Sequence, residues 1–150
     1  MMQSALPWFG LAVRLFMGYT FVEAALPKIV EPLPFATSIG HYGILPTWAV
    51  HGFALVLPWL ELACAALLIA GFRTRLAAIL GAAMMLMFAG AVAWAVANGL
   101  QIDCGCFGEG VVEKVSWFKV AKNTAMAGAL GVLARFPATP WSADAVGARS

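Results

Sequence analysis

A chain of 150 residues with 63% hydrophobic and only 11% charged residues and a mean hydropathy of +0.89 is not an ordinary soluble domain, in which about a quarter of residues are charged. The composition is that of an integral membrane protein. A net charge of +2, with Lys and Arg scattered along the chain, excludes a nucleic-acid surface, and no repeat or low-complexity tract divides the sequence.

Four stretches approach the roughly 20 apolar residues that a spanning helix needs: 7–26, 51–71, 76–97 and 117–133. They are long continuous runs, not the short alternating segments of a membrane barrel, so they are read as helices. The predicted fold class is an all-α integral membrane protein, a four-transmembrane-helix bundle over 1–136 with both termini cytoplasmic and a cytoplasmic tail over 137–150. The first stretch is not read as a cleaved signal, because no Lys or Arg precedes it and Arg14 interrupts its apolar region.

The first span holds two ionisable residues, Arg14 and Glu23, and the second holds Glu61. Such residues face the interior of a bundle and pair, and depth along the helices predicts an intramembrane pair between Arg14 and Glu61. Glu23 falls nearer the outer end, level with Lys119 and Lys122 of the fourth span. Between the first two spans, a loop with Pro32, Pro34 and Pro46 places Phe35, Ile39 and Tyr42 at helical spacing, which predicts a short amphipathic piece on the outer membrane surface. It can cover the loop between the third and fourth spans.

Orientation follows from Lys and Arg in short loops, which stay on the cytoplasmic side. The turn between the second and third spans, Gly71 to Arg75, carries Arg73 and Arg75. It is therefore placed inside, and the loops 27–50 and 98–116 outside. Lys28 and Lys114 run against this rule and are offset by Glu31, Glu109 and Glu113.

The second outer loop contains Asp103, Cys104, Gly105, Cys106, Phe107 and Gly108. Two thiols one residue apart allow three readings: redox exchange, a structural bridge, or metal binding. Gly105 permits the sharp turn a bridge would need, and a strained, exposed disulfide suits exchange better than bracing. So short a loop also removes little chain entropy when closed. The metal alternative uses Cys104, Cys106 and His41, with His51 on the same side, but structural zinc sites separate paired cysteines by two to four residues. Redox exchange leads, with Asp103, Gly105, Phe107, Gly108, Glu23, Lys119 and Lys122 as its supporting outer site. Lys119 and Lys122 occupy the first turns of the fourth span, where the helix dipole disfavours cations, so an anion or lipid headgroups are expected nearby. Cys64, well inside the second span, reads as a small hydrophobe.

The succession of Arg14, Gly18, Phe21 and Lys28, then Leu57 to Glu61, then Asp103 to Gly108, then Lys122 and Asn123, resembles the MauE branch of the DoxX-like membrane proteins over about residues 8–134. One departure is Lys122 where Arg is expected before Asn123, which keeps charge but loses bidentate geometry. The resemblance implies a bacterial inner-membrane protein whose Cys-Gly-Cys loop faces the periplasm, where disulfides persist. It also implies a role in methylamine utilisation: maturing a disulfide-containing periplasmic client, such as the small subunit of methylamine dehydrogenase, beside a thioredoxin-like partner. Other DoxX-like proteins are tied to thiosulfate and quinone chemistry, so a quinone near Glu23, Lys119 and Lys122 enters by analogy. Cys104 and Cys106 are the expected reactive pair of a thiol-disulfide oxidoreductase component. A non-enzymatic membrane assembly factor is the second reading, and metal handling the third.

Overall fold

The computed structural model describes residues 2–102, 114–137 and 139–143. Five helices succeed one another: α1 (Met2–Val30), α2 (Pro32–His41), α3 (Thr47–Ala70), α4 (Thr74–Ala97) and α5 (Trp117–Arg135). No β-sheet occurs among the described residues. Three segments are long and apolar enough to cross a membrane: Pro7–Val30 of α1, Thr47–Ala70 and Thr74–Ala97. α5 is the least apolar of the long helices and carries Lys119, Lys122 and Arg135 within 19 residues.

Local chemistry sets the helix ends. α1 stops at Val30 because Glu31 precedes Pro32, and a residue before proline is pushed out of the helical region. Pro32 then occupies the first position of α2, where its missing N–H costs nothing. α3 ends in a Schellman motif: Gly71 adopts φ 67°, its N–H bonds Leu68 O at 3.2 Å, and the Phe72 N–H bonds Leu67 O at 3.1 Å. Ser116 is the N-cap residue of α5, as its hydroxyl chemistry favours, although no side-chain cap bond forms.

α1 packs along α3 and α4 along α5, with α2 laid on α3. Gly18 lets α1 and α3 approach closely, since a Cβ there would lie 2.6 Å from Ile69 Cγ1. The main core joins four helices through Met17 and Phe21, Ala65 and Leu68, Ala77 and Met85, and Leu130 and Leu133. A second cluster places Phe35 and Ala36 of α2 against Val50, Ala54 and Leu57 of α3, with Ile39 packed beside them. The short helix expected between the first two spans therefore exists, with Phe35 and Ala36 packed on the start of α3.

The bundle has two distinct ends. One gathers the end of α1, α2, the start of α3, the end of α4 and the start of α5. The other gathers the first half of α1, the α3–α4 turn and the end of α5, where a Cβ on Gly10 would meet Leu133 and Thr139. At Gly71 an added Cβ would sit 2.5 Å from Arg14 Nη1 and 2.8 Å from Ser142 Cα. Gly71→Ala is expected to destabilise the protein by about 1–3 kcal/mol, combining left-handed strain with that clash. Thermal unfolding in detergent measures it. Gly71→Asn, which tolerates the left-handed region, is expected to recover little, because the clash remains.

Candidate functional site

The buried face of α1 repeats at helical spacing through Leu11, Arg14, Met17, Phe21, Ala24, Ala25 and Lys28, so Arg14 and Lys28 sit on the core stripe of the helix. The buried face of α3 runs through Leu57, Glu61, Cys64, Ala65 and Leu68, which aims Glu61 at α1. Lys28 Nζ donates to both carboxylate oxygens of Glu61, at 2.7 and 3.0 Å. Both side chains are 1% exposed. The ammonium also lies 4.9 Å from the centroid of Phe35 and 5.1 Å from that of Phe88, within cation–π range. Four helices thus contribute one group each: Lys28 from α1, Phe35 from α2, Glu61 from α3 and Phe88 from α4.

This arrangement corrects the expected pairing of Arg14 with Glu61. Arg14 lies level with Gly71, at the α3–α4 turn, ten residues and about 15 Å along α3 from Glu61 at ~1.5 Å per residue. A span ending at Leu26 sets the depth of α1 wrongly. The helix continues to Val30 and brings Lys28, expected in the outer loop, onto its core face. Arg14 instead donates from Nη1 to Thr139 Oγ1 at 2.6 Å and from Nη2 to Trp141 O at 3.1 Å. Ser142 Oγ donates to Thr139 O at 3.1 Å, and Trp141 meets Trp8 edge-on at 6.4 Å. Residues following α5 therefore fold back as a clasp over Arg14, with Thr139 and Ser142 buried.

Beside the ion pair lies an apolar cavity of about 170 Å³, walled by Phe35 and Phe88 together with Ile39, Tyr42, Phe53 and Met87. Apolar cavities of about 150 Å³ admit a benzene ring, so this one has room for a single ring-sized group. Burial pushes the Tyr42 phenol up to about 12, which keeps it a neutral hydroxyl at physiological pH. Glu23, Lys119 and Lys122, expected beside a quinone head, do not line this cavity.

The remaining sequence-derived residues are dispersed. Asp103, Cys104, Gly105, Cys106, Phe107 and Gly108 lie outside the described residues. Of the described residues that flank them, Val115 donates its N–H to Ile102 O at 3.1 Å. Glu23 is exposed on α1 and accepts a hydrogen bond from Tyr19 Oη at 2.5 Å. Lys119 and Lys122 fall in the first two turns of α5, and Lys122 is exposed. His41 ends α2, while His51 is an exposed residue of α3. Cys64 is a buried free thiol one turn beyond Glu61. Lys28, Phe35 and Phe88 escaped sequence reasoning as a unit. The signal for Lys28 was its spacing of four turns from Arg14, which puts both on one helical face.

The regular elements among the described residues are helices, three of them long and apolar enough to cross a membrane, and with an ion pair enclosed by four of them this is the make-up of a helical membrane protein. The chain belongs to the MauE family: the family model "Methylamine utilisation protein MauE" matches residues 6–136. It is 38% identical over 130 residues to the methylamine utilization protein MauE of Methylorubrum extorquens, covering 85% of this chain and 70% of that protein. Against the MauE protein of Paracoccus denitrificans the identity is 40% over 134 residues, covering 85% and 72%. With that of Methylophilus methylotrophus it is 37% over 125 residues, covering 81% and 65%. No solved structure matches.

Removing one partner of the buried pair leaves an uncompensated charge, which costs about 3–5 kcal/mol, whereas replacing both by apolar groups is often near neutral. Lys28→Met is therefore expected to lower thermal stability in detergent strongly, and Lys28→Met with Glu61→Leu to recover most of the loss. Lys28→Ala deletes three methylenes and the ammonium, so added n-propylammonium is expected to raise its melting temperature but not that of the wild type.

Proposed function

We propose that this protein is a four-span inner-membrane component of methylamine utilisation. Its Cys104–Cys106 pair exchanges electrons with a periplasmic thioredoxin-like protein during maturation of a disulfide-containing client. The observation that carries the reading is MauE family membership across residues 6–136, a stretch that includes both cysteines.

α5 is taken as the fourth span. Trp48, Trp94 and Trp117 are exposed near the ends of α3, α4 and α5 that share the α2 side, and Trp8, Phe72, Phe136 and Trp141 are exposed at the opposite end. Paired aromatic girdles mark the two membrane interfaces. From Trp117 to Phe136 α5 covers about 28 Å at ~1.5 Å per residue, close to the ~30 Å of a hydrocarbon core. Arg73, Arg75 and Arg135 gather at the girdle away from the cysteine segment, which by the positive-inside tendency is the cytoplasmic side. The cysteines then face the periplasm, in keeping with an oxidising setting.

In the exchange, a thiolate of one dithiol attacks the disulfide of the other protein and forms a mixed disulfide. The second thiol then releases the product dithiol, so two electrons and two protons pass between the pairs. Ile102 and Val115, which flank the pair, are joined by a backbone hydrogen bond. The same chemistry runs in either direction. Cys104→Ser and Cys106→Ser are each expected to abolish client maturation, and one of them to accumulate a mixed disulfide visible on non-reducing gels. Full client maturation in both variants, with no trapped species, would sink the reading in favour of a docking role for the segment.

A further inference from the structure

Glu23 lies inside Pro7–Val30, the part of α1 long and apolar enough to cross a membrane, sixteen residues from one end and seven from the other, about 24 and 10 Å at ~1.5 Å per residue. It is nevertheless exposed, on the face of α1 opposite the core stripe. Its neighbours on that face, Phe16 and Leu26, are large, apolar and exposed with it, and the cavity beside Phe35 does not extend to it. Hydrocarbon offers a carboxyl neither counter-charge nor hydrogen bonds, so ionisable residues at such depth face protein or a water-filled cavity. Tyr19, one turn earlier, donates its hydroxyl to one carboxylate oxygen at 2.5 Å. That answers only part of a group with about four lone-pair sites.

The exposed face has a regular form. Ala12, Phe16, Tyr19, Glu23, Leu26 and Val30 follow one another at alternating intervals of four and three residues, the spacing of a seam that receives a second helix at a shallow angle. A single polar position in such a seam fixes the register of the two helices. We propose that this face of α1 docks a membrane helix of a different protein, one that carries a lysine or arginine at the depth of Glu23. Charge complementarity selects that occupant, because a carboxylate within hydrocarbon is met by an ammonium or guanidinium and left unanswered by acyl chains. A lipid phosphate would repel it. A second copy would present the same carboxylate, and two-fold packing of the seam on itself sets Glu23 against Glu23. The inference is independent of the thiol chemistry proposed above.

The test uses the full chain, labelled with a donor fluorophore and reconstituted into phosphatidylcholine vesicles. The probes are acceptor-labelled leucine-alanine helices as long as the 24 residues of Pro7–Val30, with lysine, glutamate or leucine at the level of Glu23. Energy transfer is followed on lipid dilution. The lysine helix is expected to bind wild type at least about 10-fold more tightly than the leucine helix. Glu23→Gln is expected to lose that preference, and Glu23→Lys to reverse it in favour of the glutamate helix, which also shows that the variant folds. Equal binding of the lysine and leucine helices to wild type, or a preference that survives Glu23→Gln, overturns the proposal. In native membranes, a photoreactive residue in place of Leu26 is expected to cross-link a helix of another protein with lysine or arginine within one turn of the linked position, with a yield at least about 10-fold lower in Glu23→Gln. Cross-links to lipid alone, to a second copy of this chain, or to a helix without such a cation overturn it equally.

Discussion

The arrangement of the half of the bundle that carries α2 depends on the burial of the Lys28 ammonium against the Glu61 carboxylate. Neither charge is tolerated alone in an apolar interior, and their attraction offsets desolvation only when geometry and further contacts are good. The structure meets that demand with both carboxylate oxygens and two aromatic faces. It follows that α1 must stay helical through Pro27 to deliver Lys28, and that the chain must turn at once for α2 to bring Phe35 over it. Glu31 and Pro32 supply that turn. The pair thereby binds α2 to the bundle as well as joining α1 to α3.

Cations occupy both ends of one helical stripe. Arg14 and Lys28 are four turns apart on α1, about 21 Å at ~1.5 Å per residue, with Met17, Phe21, Ala24 and Ala25 packed between them. The two are satisfied in different ways. Lys28 meets a carboxylate of a neighbouring helix, and Arg14 donates to a hydroxyl and a backbone carbonyl from the segment after α5. A guanidinium, with five donors in a fixed fork, suits several acceptors at once. A compact ammonium suits a single carboxylate. Between these two anchors the packing is apolar and close, with Gly18 at a helix contact where a side chain would collide and Gly81 where a Cβ would crowd Leu130 and Phe21 at 3.1 Å.

The helices were legible from apolar run length, and the predicted starts and stops of the third and fourth spans fall within about two residues of α4 and α5. The Arg-bearing turn at Gly71 and the short helix around Phe35 were legible too, from Gly and Pro chemistry and from spacing. Which charge meets Glu61 was not. Run length assigns Lys28 to a loop because Pro27 and Lys28 both lower local hydropathy, yet a helix end is decided by backbone sterics at Glu31 and Pro32. The clasp over Arg14 was invisible for another reason. It joins residues 125 positions apart through a stretch with no periodicity, and Thr139 and Ser142 look like ordinary loop residues until a buried guanidinium gives them a role.

That separation in sequence also imposes an order of assembly during synthesis. Lys28 can be neutralised as soon as α3 is made, only 33 residues later, and the α1–α3 hairpin can close while the rest of the chain is still being translated. Arg14 must wait for Thr139 and Trp141. The clasp over the start of α1 therefore closes last, and only in chains whose α5 and following residues have already been made.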